Sequence, residues 1–181
     1  MMPARPGPSG GGSIRLLVTS SRRWNDGRSM GLGLSWVMGQ FPGLIVPGEH
    51  GPRGMWHLLT VVHGAADGGD KLMDRIARAW GCVVEPHPVS QEEWDTCLAA
   101  CTPGHRRRRR DGTTFCPGAG TRRNQRMVDL GADLCVGWPI SSVWSGTWHC
   151  MTRAEAAGIR TVCWPRDGAR LLALAESGIR S

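Results

Sequence analysis

Hydrophobic positions along this chain alternate between two rhythms. Short continuous apolar runs, rich in β-branched residues, open at "SIRLLVTSSRRW" (13–24) and recur at "LLTVVH" (58–63), "CVVEP" (82–86), "DLCVGWP" (133–139) and "IRTVCWP" (159–165). Runs of that length bounded by turn residues predict buried strands. Between them the apolar positions fall at helical spacing. Leu72, Met73, Ile76, Ala77, Ala79 and Trp80 predict a helix from Gly69, and Met127, Val128 and Leu130 mark the inner face of another over 121–130. Helices are also predicted over 146–157 and 168–177. A further one is predicted over 27–40, where Gly27, Gly31, Gly33 and Gly39 lower the propensity. Prolines and glycines make "FPGLIVPGEHGPRG" (41–54) a loop.

Strands alternating with helices predict an α/β fold: a Rossmann-like parallel sheet flanked by helices on both faces, joined by right-handed crossovers. Ligands of such sheets sit beyond the carboxyl ends of the strands. Four polar or Gly-rich segments fall at those ends or open helices: 19–22, 63–70, 119–124 and 140–147.

Length and composition narrow the class. With 181 residues, 40% hydrophobic and 20% charged, the chain suits one globular domain with a real core. Residues 1–13, including "PARPGPSGGGS", read as a disordered tail, and 14–181 as a single domain carrying an insert at 95–119. No run reaches the ~18 apolar residues of a membrane span, and no charged-then-apolar leader opens the chain, so the expected compartment is the cytoplasm. One lysine and no tyrosine point to GC-rich coding, as in a bacterial or phage genome. The net charge is +7, yet Arg106–Arg110 supply five of those charges and the rest of the chain only +2. The basic character is therefore local, and on its own it does not describe a nucleic-acid surface.

Three short motifs carry candidate chemistry. "HGAADGGD" (63–70) joins a strand to a helix through glycine, which lets backbone approach a ligand while helix amides attract an anion. It lacks both the Gly-Lys-Ser/Thr ending of a P-loop and the G-x-G-x-x-G spacing. A plain strand-to-helix turn with Asp70 near the helix start is the alternative. The turn is expected to hold a phosphate, with Gly64 and Gly68 giving backbone access. In "AGTRRNQRM" (119–127), Arg122, Arg123 and Asn124 crowd a helix start, against the helix dipole. A bound phosphate or a nearby carboxylate would relieve that conflict; a solvated basic turn is the alternative. "SGTWH" (145–149) offers amides and a hydroxyl at a helix start, and is also a common N-cap arrangement.

Taken together and in this order, the motifs resemble the YspA-like branch of the SLOG superfamily. The branch's Gly-Ser-Arg after strand one reads Ser20-Ser21-Arg22 here, with Ser20 in the glycine's place. Its G-x-x-x-G-x-D loop corresponds to Gly64, Gly68 and Asp70, with Ala65 inside the loop. Its Ala-Gly-x-x-Arg-Asn corresponds to Ala119, Gly120, Arg123 and Asn124, and its late glycine-threonine to Gly146 and Thr147. The resemblance spans roughly 14–165. It implies a Rossmann-like fold and a nucleotide or nucleotide-derived ligand at the strand ends. Some relatives, the lonely-guy phosphoribohydrolases, cleave a base from a nucleoside monophosphate. They use an arginine, matched by Arg123 with Met127, and a glutamate three residues after the Gly-Thr. Cys150 stands at that glutamate position. Glycosidic cleavage needs acid/base or charge assistance, so sensing or sequestration is expected ahead of nucleotide hydrolysis. A nucleic-acid-binding module is the third reading, since DNA-processing relatives share the fold.

The seven cysteines divide by context. Cys82, Cys135 and Cys163 lie in apolar strands and Cys150 on a helix, as expected of core thiols. The insert "CLAACTPGHRRRRRDGTTFC" (97–116) instead spaces Cys97, Cys101, His105 and Cys116 as a Cys3His set. Structural zinc takes such a set and can order a loop that has little core of its own. The alternative puts Cys97 and Cys101 on the inner face of a short helix and His105 in solvent. The five arginines between are read as solvated, with a clamp on nucleotide phosphates or a nucleic-acid contact as the other uses. Trp94 and Trp138 are expected in the core. Trp144 and Trp148 flank the Gly-Thr loop, where one could stack on a base.

Overall fold

The computed structural model describes residues 13–47 and 53–178. Its elements in chain order are β1 (Ile14–Ser20), α1 (Gly27–Gln40), β2 (Ile45–Val46), β3 (Arg53–Gly54), β4 (Leu59–His63), α2 (Gly69–Ala79), β5 (Val83–Pro86), α3 (Gln91–Asp95), β6 (Arg107–Arg108), β7 (Thr114–Phe115), α4 (Gly118–Asp129), β8 (Leu134–Trp138), α5 (Gly146–Ala156), β9 (Thr161–Cys163) and α6 (Trp164–Gly178).

The five apolar runs pair as one parallel sheet in the order β5-β4-β1-β8-β9. The chain builds outward from β1 through β4 to β5, then returns to the other side of β1 for β8 and β9. The strand order therefore reverses between β1 and β8, which opens a crevice at their carboxyl ends. Two cores cover the faces. Leu16 and Val18 join Met30, Leu34, Val37, Met73 and Trp138 on one side; Leu17 and Val62 join Met127, Val128, Cys150 and Met151 on the other. Alternate residues of one strand thus serve opposite cores, as the two-residue strand period requires.

α1 forms despite its glycines because close packing uses them. A Cβ on Gly33 would lie 2.6 Å from Cζ2 of Trp138, so the fully buried indole occupies the missing side chain's place. α1 is also capped, Asp26 accepting from the Ser29 amide at 2.9 Å. At the far end, "WP" opens α6 rather than closing β9. Proline suits a first helical turn, where its missing N–H has no partner to lose. Within 41–54, the described residues show a 3-10 turn at Pro42–Leu44 and the short β2–β3 pairing. Cys82, Cys135, Cys150 and Cys163 are buried, and no described helix is long and apolar enough to cross a membrane.

The insert between β5 and α4 is a small structure of its own. α3 carries a capping box between Ser90 and Glu93. β6 and β7 form a hairpin in which Arg107 faces Phe115 and Arg108 faces Thr114.

Candidate functional site

At the switch point lies a cleft of about 670 Å³. All four polar segments contribute to it: Thr19, Ser20, Ser21 and Arg22 from the β1 end; Gly120, Arg123 and Asn124 from α4; Ser141, Gly146 and Thr147 from the β8–α5 loop. Ala66 and Asp70 reach it from the turn after β4. Sequence motifs up to 128 residues apart thus converge on one space.

Arg123 is the cleft's most constrained charge. Its side chain is 91% removed from solvent and donates from Nη1 to the His87 carbonyl at 3.3 Å, while Nε has no partner. Among the described residues no carboxylate forms an ion pair with it. Burial lowers its pKa and the nearby Asp70 charge opposes that shift. Buried guanidinium groups are ordinarily paired, so this one has bonding capacity to give a ligand.

Gly64, Ala65 and Gly68 do not line the cleft. A Cβ on Gly64 would fall on the Arg123 guanidinium, so this glycine makes room for the arginine. Gly68, at φ +80°, turns toward the β1–α1 loop, where a Cβ would strike the Arg22 carbonyl. Three of the turn's amides are committed. Ala65 N–H donates to Nδ1 of the buried His63 (3.0 Å), Ala66 N–H to Asp70 (3.3 Å) and Gly69 N–H to the Ser21 carbonyl (3.2 Å). Because His63 Nδ1 accepts, its Nε2 carries the proton given to Asp74 at 2.9 Å. This contact holds Ala65 left-handed at φ 53°. Of the turn expected to hold a phosphate, Ala66 and Asp70 face the cleft, while Gly64 packs against Arg123 and Gly68 against the Arg22 carbonyl. Asp70 itself is buried and accepts from Ser20 Oγ at 2.6 Å.

On the opposite wall, Asn124 donates to the Gly146 carbonyl at 3.0 Å and ties the start of α5 to α4. A Cβ on Gly146 would meet nothing within 4 Å, so the α5 terminus faces open space. Thr147 is buried beside it. Cys150 is fully buried, and desolvation pushes its thiol up to about 11. It is neutral and offers no charge to a reaction.

Several lining residues were not named individually as ligand contacts from sequence: Arg23, Thr121, His149 and, from the insert, Phe115 and Pro117; Arg107 was read only as one of a run of five. Burial, then Arg153, lowers the His149 pKa; its Nδ1 is buried without a partner. Trp138 is core as expected. Trp94 instead packs edge-on to Phe115 at 5.6 Å on the cleft wall, and Trp144 stands two-thirds exposed at the rim. Trp148 is held by its donation to the Ser141 carbonyl at 2.7 Å.

The insert brings Cys97, Cys101, His105 and Cys116 together, with all four ligand atoms within 4.8 Å of one another. Cys101 and Cys116 sulfurs are 3.8 Å apart; His105 Nε2 lies 3.4 Å from Cys97 and 3.3 Å from Cys116. A tetrahedral ion with metal–sulfur bonds of about 2.3 Å and metal–nitrogen bonds of about 2.0 Å needs separations of about 3.8 and 3.5 Å. The cluster could hold a metal ion. Burial would raise the Cys116 thiol, but hydrogen bonds from Arg122, at 3.4 Å, and from His105 outweigh it and bring it down to about 6. Arg122 also donates to the carbonyls of Glu93 and Thr96, and Arg106 reaches Cys97 at 3.7 Å. The two arginines side by side at the α4 start thus part ways: Arg122 supports the cluster and Arg123 enters the cleft.

No family model matches the chain. Among curated proteins it is 33% identical over 149 residues to the "Gene 61 protein" of Mycobacterium phage D29, across 82% of this chain and 94% of the phage protein. The chain belongs to the family of that protein.

Proposed function

We propose that this member of the phage Gene 61 protein family is a SLOG-type protein that binds a nucleotide or nucleotide-derived molecule in the β1/β8 cleft, as a sensor or a sequestering protein. The observation that carries the reading is Arg123, a buried guanidinium in the cleft with an unpartnered Nε and no carboxylate partner among the described residues. A phosphate would supply the missing charge through charge-assisted hydrogen bonds. The open α5 terminus at Gly146 and Thr147 provides amides for the same anion. Ser20 and Asp70 add hydroxyl and carboxylate groups suited to a ribose. Trp94, Phe115 and Trp144 give the rim aromatic surface for a base.

Binding is favoured over nucleotide hydrolysis because Cys150 is neutral and buried where the related hydrolases carry glutamate. The metal of the insert is zinc, in a structural role: three sulfurs and one imidazole fill a tetrahedral shell and leave no open position for substrate.

A thermal-shift screen against nucleoside mono-, di- and triphosphates tests the reading, since a ligand of the native state raises the melting temperature. At least one nucleotide should do so. A flat response across the whole panel would reject it.

A further inference from the structure

We propose that Arg107 forms a second anion subsite in this cleft, so that the ligand carries two or more phosphate groups. The inference rests on the nucleotide reading above and specifies it.

Charge is the first argument. Among the described residues, four arginines line the cleft, Arg22, Arg23, Arg107 and Arg123, against one carboxylate, Asp70. That carboxylate already accepts from Ser20 and Ala66. One phosphate monoester, at about −1.5 to −2, leaves positive charge uncompensated; a diphosphate or triphosphate does not.

Presentation is the second argument. In the β6–β7 hairpin Arg107 lies directly opposite Phe115, and both line the cleft. Directly opposed residues of an antiparallel pair share a face, so the hairpin aims Arg107 and an aromatic ring at the same space. Arg108, next along the strand, points to the opposite face, and two other arginines of the run are engaged. Arg106 donates to the Asp95 carbonyl (2.6 Å), the Thr114 carbonyl (2.9 Å) and the Thr114 hydroxyl (2.9 Å), and Arg109 sits over Phe115 at 5.1 Å. Arg107 has no such bond among the described residues. It is exposed, whereas Arg123 is buried in the cleft wall and comes from a different element. Two arginines in one cleft, fixed by separate parts of the fold, suit two phosphate groups better than one.

The hairpin is anchored at Cys116, one residue beyond Phe115, and at His105, two residues before Arg107. The metal cluster is thereby the scaffold of this subsite.

The test is a calorimetric titration of adenosine and guanosine mono-, di- and triphosphates into the zinc-loaded parent, Arg107→Gln and Arg123→Gln. Zinc content and melting temperature serve as controls for the fold. In the parent, affinity should rise at least tenfold from mono- to diphosphate. Arg107→Gln should bring that ratio close to one, while Arg123→Gln should weaken the whole series and preserve the ratio. A parent that binds monophosphate as tightly as diphosphate, or an Arg107→Gln variant that keeps the full increment, would overturn the second subsite and leave the nucleotide reading intact. No binding by any nucleotide would reject both. A single-stranded oligonucleotide bound more tightly than the triphosphates would overturn the proposal in favour of a strand-binding groove.

Discussion

The guanidinium of Arg123 occupies the space that a side chain on Gly64 would fill. One residue ends the turn's approach from β4 and the other lies on α4, so a glycine in one motif exists to admit an arginine from another. Gly64→Ala should therefore leave the protein folded, because a flexible side-chain end can move aside, yet shift Arg123 out of position. Nucleotide affinity should fall by roughly tenfold or more, with the charge still present. Calorimetric binding alongside thermal melting measures both effects; unchanged affinity would break the link between the two residues.

Gly68→Val should behave differently. The glycine has a left-handed φ and abuts the Arg22 backbone carbonyl, which cannot swing away. The cost should appear as lost stability, on the order of 1–3 kcal/mol, in chemical denaturation of the ligand-free protein. A variant as stable as its parent would contradict this placement.

The purified protein should carry about one zinc per chain. Zinc should protect the insert, because Arg106 is locked by carbonyl and hydroxyl acceptors beside the cluster. Trypsin should cut within Arg106–Arg110 much faster after strong chelation or in Cys101→Ser than in the metal-loaded parent. Elemental analysis without zinc, or equal cleavage rates, would refute the assignment.

Acid should weaken the sheet through Glu85. The Arg15 hydrogen bonds, with help from His87 and against burial, lower its pKa from 4.5 to about 2. A carboxylate with a depressed folded-state pKa adds stability that is complete above 4.5 and is lost as pH falls toward 2. Denaturant midpoints should drop across that window, and Glu85→Gln should flatten the drop. Equal slopes in both proteins would remove Glu85 from the account.

Much of this fold was legible in sequence because the periodicities are strong. All five apolar runs became sheet strands, and the Cys97–Cys101–His105–Cys116 spacing marked a cluster that the structure assembles. The strand-end motifs also converged, so that Ser20, Ser21, Arg22, Asp70, Arg123, Asn124, Gly146 and Thr147 share one cleft. What could not be read was direction. Nothing in "HGAADGG" says that Gly64 faces an arginine and Gly68 a carbonyl, since those neighbours lie 59 and 46 residues away. Nor does "RRRRR" distinguish its members: hairpin register separates Arg107 from Arg108, and contacts across the fold occupy Arg106 and Arg109. Phe115 carried no motif at all, and nothing in "SGTWH" marked His149 as a lining residue.

N-glycosidic hydrolysis should be absent. With a neutral, buried Cys150 where the hydrolases that the sequence resembles carry glutamate, release of base from nucleoside monophosphates should not exceed background in a chromatographic assay. Turnover that disappears in Arg123→Ala would instead establish an enzyme.

The central claim is that Arg123 receives a nucleotide's phosphate. It is tested most directly by titrating the nucleotide that gives the largest thermal shift into the parent and into Arg123→Gln, both checked for matching fold. A charge-assisted contact is worth roughly 1.5–3 kcal/mol, so the account predicts a dissociation constant about ten- to a hundredfold higher in the variant. Equal affinity in the two proteins would contradict it and place the ligand elsewhere.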